Sequence, residues 1–177
     1  ILQKAADMFL NLGFKSVTMD DIAREMGISK KTIYAHFPTK LKLVQAATFY
    51  VIDNINETIS TICSRNLDPI EEIFTIKSMV HDQLKNEKSS PAYQLQKYYP
   101  RIFKQVKDKQ FESVNLCIVD NLQRGITEGY YRSEINIDLI TRFYFSGNMS
   151  LTNYELFPIE VYDISMLKDA FLEYHVR

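Results

Sequence analysis

The segment from residue 18 to residue 43 constrains the fold most, because it holds two short helical patterns separated by a glycine. Thr18 is a favourable N-cap for the first pattern. Gly27 then predicts its end, since glycine takes the positive φ of a helix C-cap at little cost. Ser29, two residues after Gly27, is a natural N-cap for a second helix. The segment therefore predicts two short helices joined by a sharp turn.

The second helical pattern has one apolar face. Ile33 and Phe37 lie four residues apart, and Pro38 cannot continue the helix because it has no N–H. The polar side chains project mostly elsewhere: Lys30, Lys31, Thr32, Tyr34 and His36. Such a helix pair can place a basic helix N-terminus against DNA. The alternative is an ordinary turn between two helices, with its lysines facing solvent.

Residues 1–45 resemble the N-terminal DNA-binding domain of the TetR family of bacterial transcriptional repressors. The matching positions are Ala5, Ala6, Phe9, Gly13, Phe14, Thr18, Ile22, Ala23, Gly27, Ser29, Tyr34, His36, Phe37 and Lys40. The resemblance implies an all-α protein with a three-helix helix-turn-helix DNA-binding domain at 1–45. A larger helical ligand-binding and dimerisation domain is then expected at 46–177.

The resemblance also implies which side chains hold the DNA backbone. Thr18 and Ser29 are expected to reach phosphates through hydroxyl and backbone N–H groups. Tyr34 and His36 are expected to pack against the backbone and hydrogen-bond to it. Lys40, at the start of the next helix, is expected to bind a phosphate. These contacts position a protein on duplex DNA without reading its sequence.

Base reading is assigned to the first turn of the second short helix, where Lys30, Lys31 and Thr32 come within reach of the major groove. A contact from lysine to guanine is the favoured one. Lys31 stands where many family members have a small residue or proline, so it reads a base, holds a phosphate or faces water. Asp20 is interpreted as a surface acid that complements the helix dipole rather than as a base reader.

Composition and charge agree with this interpretation. The chain has 177 residues, a hydrophobic content of 46% and a net charge of −1. Residues 1–45 hold seven basic and four acidic residues, so a basic first part precedes an acidic remainder. No run approaches the roughly 18 apolar residues of a membrane span, and no secretory segment is evident. We expect a cytoplasmic protein with no membrane partner. Because the sequence begins at Ile1 and not at methionine, we also expect further residues upstream.

Catalytic, metal and cofactor signatures are absent from the sequence. Cys63 and Cys117 lack the C-x-x-C spacing of zinc and redox sites, so both are interpreted as reduced thiols in a helical core. The alternative is a redox-sensing pair. The three histidines are dispersed, and no Ser-His-Asp, P-loop or dinucleotide pattern occurs. We therefore expect no enzyme activity, no metal and no cofactor.

Beyond the first domain the chain reads as successive helices. A single apolar stripe predicts a long helix over 40–63. Asp68-Pro69 and Ser90-Pro91 predict two further helix starts, with proline at the first helical position. The last two helices are predicted at about 137–155 and 164–176, with Gly147 allowing another helix to approach closely.

Two features of the remaining sequence stay open. An aromatic-rich stretch, broken at Pro100, is either a ligand pocket or a plain core, and its members are Tyr93, Tyr98, Tyr99, Phe103 and Phe111. A cationic stripe is either a solvated face or a source of additional phosphate contacts, and its members are Lys97, Arg101, Lys104 and Lys107.

The expected function follows from the resemblance. We expect a transcriptional regulator, in most cases a repressor, that binds a palindromic site on double-stranded DNA as a homodimer formed by the last two helices. A small apolar or aromatic effector is expected to release it. The alternatives are control by a protein partner or the absence of any effector, and, third, an enzyme on a helical fold.

Overall fold

The structure, a computed structural model, describes residues 1–84, 91–151, 153, 155–158 and 160–176. All regular secondary structure within these ranges is α-helical. In chain order they are α1 (Leu2–Leu12), α2 (Met19–Met26), α3 (Lys30–His36), α4 (Lys40–Cys63), α5 (Pro69–Leu84), α6 (Pro91–Tyr98), α7 (Pro100–Thr127), α8 (Ile137–Ser150) and α9 (Ile164–Val176). The predicted all-α class is confirmed. None of the described helices combines the length and apolar character needed to cross a bilayer.

Local sequence signals set most of these bounds. The long helix α4 spans the predicted residues 40–63, and α9 spans the predicted residues 164–176. Asp68 caps α5 by accepting the backbone N–H groups of Ile70 and Glu71 at 3.1 and 3.0 Å. Pro100 separates α6 from α7. The predicted cap at Ser90 lies outside the described residues.

The predicted end of α8 at residue 155 is wrong, because the helix ends at Ser150. The Ser150 hydroxyl donates to the carbonyl of Gly147 at 2.6 Å. Asn153 then forms a turn, in which its side-chain oxygen accepts the N–H of Glu155 at 2.9 Å. Asparagine competes with the helical hydrogen bonds in this way, so it favours a turn over a further helical turn.

The chain divides into two compact units, and neither follows one continuous stretch of sequence. The first comprises Ile1–Asn56 and Gln83–Asp108. Its core joins the first helices to α6 and the start of α7, since Phe14 stacks on Phe9 at 5.2 Å and meets the Tyr99 ring at 6.2 Å. The first compact unit is defined by packing, and it includes residues beyond 45. The predicted boundary of a DNA-binding domain after residue 45 stays a prediction.

The second unit comprises Glu57–Asp82 and Lys109–Arg177. A buried polar network joins α5 to α7 in this unit. Glu72, which has no exposed surface, accepts the Asn121 amide at 2.8 Å and the Arg124 guanidinium at 2.5 Å. The Tyr131 hydroxyl donates to the Asn121 side-chain oxygen at 2.9 Å. Buried polar groups are stable only when paired, and these side chains pair with one another.

Packing in the second unit also brings α8 against α9. A Cβ on Gly147 would collide with the ring of Phe171, and the Tyr144 ring lies 5.6 Å from that of Phe171. The predicted close approach at Gly147 is therefore confirmed.

Candidate nucleic-acid interface

The turn between α2 and α3 is fixed by hydrogen bonds at both helix ends. The Thr18 hydroxyl accepts the Asp21 N–H at 3.2 Å, and the Asp21 carboxylate accepts the Thr18 N–H at 3.0 Å, which is a capping box. Gly27 ends α2 in the left-handed conformation, with φ 64° and ψ 27°. The N–H of Ile28 then donates to the carbonyl of Ala23 at 3.0 Å. The predicted helix-turn-helix geometry is confirmed.

Helix α3 presents a buried side and a polar side. Ile33 has no exposed surface and anchors the helix in the core. The side chains predicted to face DNA are exposed: Lys30, Lys31, Thr32, Tyr34 and His36. Ser29 caps the helix by accepting the Thr32 N–H at 3.1 Å, and the two hydroxyls are 2.8 Å apart. The side chains predicted to read bases thus start at a capped helix N-terminus.

Lys30 is paired within the chain by a residue of α2. Its Nζ lies 2.6 Å from an Asp20 carboxylate oxygen, and both side chains are about half exposed, at 48% and 57%. This hydrogen bond raises the pKa of Lys30 above its ordinary value. Asp20 was interpreted from the sequence only as a dipole-complementing acid, and its contact with Lys30 was missed because the two residues meet across the turn. Any contact of Lys30 with a base must therefore compete with Asp20.

Lys40 is tethered to the loop between α1 and α2. Its Nζ donates to the backbone carbonyl of Lys15 at 3.3 Å, and the side chain is partly buried at the start of α4. Partial burial lowers the pKa of Lys40, whereas the nearby Asp21 carboxylate acts in the opposite direction. This tether fixes where the predicted phosphate-binding ammonium group lies.

Lys15 was not predicted from the sequence as part of the site. Its carbonyl accepts the hydrogen bond from Lys40, and its side chain lies near Lys97 of α6. Its Nζ lies 5.3 Å from the centre of the Tyr98 ring, and Lys97 Nζ lies 5.6 Å from the same centre. The Tyr93 hydroxyl accepts a hydrogen bond from Lys97 at 3.2 Å. Lys97 therefore lies near the loop that holds Lys40, in the same compact unit. This placement favours the interpretation of Lys97 as an additional phosphate contact.

The remaining predicted residues are placed as follows. Thr18 is exposed at the start of α2, but its hydroxyl already donates to Asp21 at 2.7 Å, so a phosphate must share or replace that bond. Seven of the eight predicted DNA-contact residues are exposed, and Lys40 is the partly buried one. Their roles on DNA stay predictions.

Comparison with known proteins points in the same direction. Residues 1–47 match the family model for bacterial regulatory proteins of the tetR family. The HTH-type transcriptional repressor KstR2 of Mycobacterium tuberculosis is 27% identical over 148 residues, which cover 81% of this chain and 73% of that protein.

Solved structures share the fold over nearly the whole chain. A transcriptional regulator from Cytophaga hutchinsonii superposes with a TM-score of 0.77 and 16% identity, covering 99% of this chain and 94% of its own. FadR of Thermus thermophilus, a TetR-family repressor solved with lauroyl-CoA, gives a TM-score of 0.63 at 17% identity, covering 99% and 91%. The helix-turn-helix and the match over residues 1–47 make this part of the chain similar to the tetR family of bacterial regulatory proteins, and 81% of the chain is similar to a repressor at 27% identity.

Proposed function

We propose that the protein is a DNA-binding transcriptional repressor that binds a palindromic site as a homodimer and is released by a small-molecule effector. The observation that carries the proposal is the two-sided α3, with Ile33 buried and its polar side chains exposed beside a capped N-terminus. A helix of this kind fits the major groove. A regulator of this kind acts in the cytoplasm, where bacterial DNA lies.

The exposed side chains divide into two roles. Those in the first turn of α3 read base edges, and the remainder hold phosphates and set the orientation of the domain. The readers are Lys30, Lys31 and Thr32, and the positioning residues are Thr18, Ser29, Tyr34, His36 and Lys40.

Exposed apolar residues on α8 and α9 support the homodimer. Phe143 is 62% exposed and Leu139, one turn earlier, is 47% exposed. On α9 the exposed apolar residues include Met166 and Tyr174. Large apolar side chains on neighbouring helices mark a protein interface, and a twofold pair would set two α3 helices about one DNA turn apart, ~34–36 Å.

Aromatic packing indicates which aromatic residues are candidates for contacting an effector. Tyr99 and Phe103 pack on the core of the first unit, which favours the core interpretation for these two residues. Phe111 instead meets Phe145 at 5.1 Å in the second unit, where Tyr144 and Phe171 also pair. The aromatic residues of the second unit are therefore the better candidates for contacting an apolar or aromatic effector. Two proteins of the same fold were solved with lauroyl-CoA and with choline.

The test compares two lysines on DNA selected by the protein from a random pool. Lys30→Ala should relax base preference at one position per half-site by roughly ten- to hundredfold, since it removes a base contact. Lys40→Ala should weaken binding to all sequences alike and lower the salt slope by about one.

Arg132→Ala is the matched control, because Arg132 is an exposed cation of the second unit and carries no assigned DNA contact. Selection of no common sequence by the wild-type protein, or equal losses for all three variants, would contradict the proposed function.

A further inference from the structure

Three metal-ligating side chains converge in the second unit, from three different helices. Cys63 ends α4, Glu72 lies in the first turn of α5, and Cys117 lies within α7. Their ligand atoms all lie within 4.8 Å of one another. This cluster was not predictable from the sequence, because the two cysteines are 54 residues apart and neither has a cysteine neighbour.

The two sulfur atoms lie in contact with each other and are not covalently bonded. The Sγ atoms are 3.3 Å apart, and both cysteines are free thiols. A disulfide requires about 2.05 Å, so the atoms would have to approach by more than an ångström. Two thiolates on one tetrahedral zinc, each at about 2.3 Å from the ion, lie about 3.8 Å apart. The observed separation is closer to that of a shared ion.

The carboxylate is held in place by hydrogen bonds from two neighbouring side chains. Asn121 and Arg124 donate to its two oxygens, and Tyr131 orients the Asn121 amide. Metal-ligating carboxylates in proteins are oriented by such hydrogen bonds. Each carboxylate oxygen has two lone pairs, so a hydrogen bond and a metal bond can share it.

A cation also lies beside the carboxylate. Two thiolates, the Glu72 carboxylate and a divalent ion carry one net negative charge, and the Arg124 guanidinium lies 2.5 Å from Glu72. Arg124 also pairs with Asp120 at 3.1 Å, and that side chain is exposed to solvent. A buried divalent ion is stable only with compensation of this kind.

We propose that Cys63, Glu72 and Cys117 form a site for a thiophilic divalent ion of the Zn²⁺ or Cd²⁺ class. On binding, two sulfur–metal bonds replace two S–H bonds, and the two protons leave to solvent. The fourth tetrahedral position is filled by a ligand from outside these three residues. The ion joins α4, α5 and α7, and the site does not depend on the proposed DNA-binding function.

The test titrates the reduced, metal-free full chain with Cd²⁺ and follows the ultraviolet charge-transfer band of cadmium thiolate. The expected result is one ion per chain with the band intensity of two thiolates. Cys63→Ser and Cys117→Ser should each lower the affinity on the order of a hundredfold and reduce the band. Glu72→Gln should keep the band and lower the affinity roughly tenfold or more. Glu71→Gln, an exposed neighbour on α5, is the matched control and should change neither.

A second measurement on the wild-type protein avoids variants that fold poorly. One equivalent of Zn²⁺ should protect both thiols from alkylation. Free alkylation of both thiols in the presence of Zn²⁺, together with no cadmium band, would overturn the site. Undiminished cadmium binding by the double serine variant would overturn it as well. Isolation of a Cys63–Cys117 disulfide whose reduced form binds no cadmium would show a redox pair instead.

Discussion

At the residue scale, the Asp20–Lys30 pair is expected to limit how Lys30, the proposed base-reading lysine, contacts DNA. The pair joins the first turns of α2 and α3. We predict that Asp20→Asn strengthens binding to DNA of any sequence, because it removes a negative charge beside α3, and that the gain is larger at the selected site, because Lys30 is freed for its proposed base contact. The affinity at low salt should rise severalfold, and the slope of affinity against salt should steepen by about one. Filter or fluorescence binding over a series of salt concentrations measures both.

The control for this variant is Glu25→Gln. Glu25 is also an exposed acid of α2 paired with a lysine, Lys4 at 2.8 Å, but that lysine belongs to α1. The substitution changes the net charge equally without touching α3. An equal gain in affinity for the two variants would attribute the effect to total charge and not to Lys30.

The capping box gives a pH prediction at the same scale. Hydrogen bonds from the Thr18 hydroxyl and backbone hold the pKa of Asp21 below its ordinary value. A depressed carboxyl pKa contributes stability above the unfolded-state value, about 3.9, and the contribution is lost as the pH falls through the folded-state value. The thermal midpoint of the wild type should therefore fall more steeply below about pH 4 than that of Asp21→Asn. Asp7→Asn, an exposed acid of α1, should follow the wild type, and a parallel fall for all three proteins would contradict the prediction.

At the scale of helices, the sequence predicted those bounds that local hydrogen bonds determine. Thr18, Gly27 and Ser29 cap α2 and α3 as predicted, since a cap depends on residues within one helical turn of it. The end of α8 was missed, because its apolar spacing continues to Leu151 while Asn153 supplies a competing turn. Periodicity alone does not weigh these two signals.

Contacts between distant segments were not predictable from the sequence. Gly13 adopts φ 92°, and its Cα faces the Gln94 amide so closely that a Cβ would lie 2.6 Å from the amide nitrogen. No pattern relates residues 13 and 94, just as none relates Cys63 to Cys117. The eight DNA-contact residues were predicted through a family resemblance confined to the first quarter of the chain, whereas Lys15 and the Asp20 pairing needed coordinates.

The contact between α8 and α9 gives a prediction about these two helices. Gly147→Ala should destabilise the second unit by about 1–3 kcal/mol, because the new methyl group would overlap the Phe171 ring. Chemical denaturation measures the change. The added Phe171→Leu substitution should restore part of the loss, and Ser146→Ala, at the exposed neighbouring position, should have little effect. Equal stability of Gly147→Ala and the wild type would show that α9 shifts without cost.

At the scale of the whole molecule, dimerisation is predicted to depend on the exposed apolar face of α8. Phe143→Asp should yield a monomer, since a charge would be buried in the interface. Binding to a palindromic site should fall by more than tenfold, because the two half-sites are then no longer held together. Sedimentation and DNA binding measure the two effects. Leu12→Asp places the same charge at an exposed leucine at the end of α1 and should leave the dimer intact. A dimeric Phe143→Asp protein would assign the interface elsewhere.

The discontinuous make-up of the first compact unit bears on attempts to transplant its specificity. Leu95, Ile102 and Val106, from α6 and α7, complete the core formed by the first helices. A chimaera that joins residues 1–45 of one relative to the remainder of another would combine α1–α3 of the first protein with α6 and α7 of the second. The side chains in the shared core would then be mismatched. Recombination between relatives should succeed only when residues 91–108 are exchanged together with the N-terminal helices.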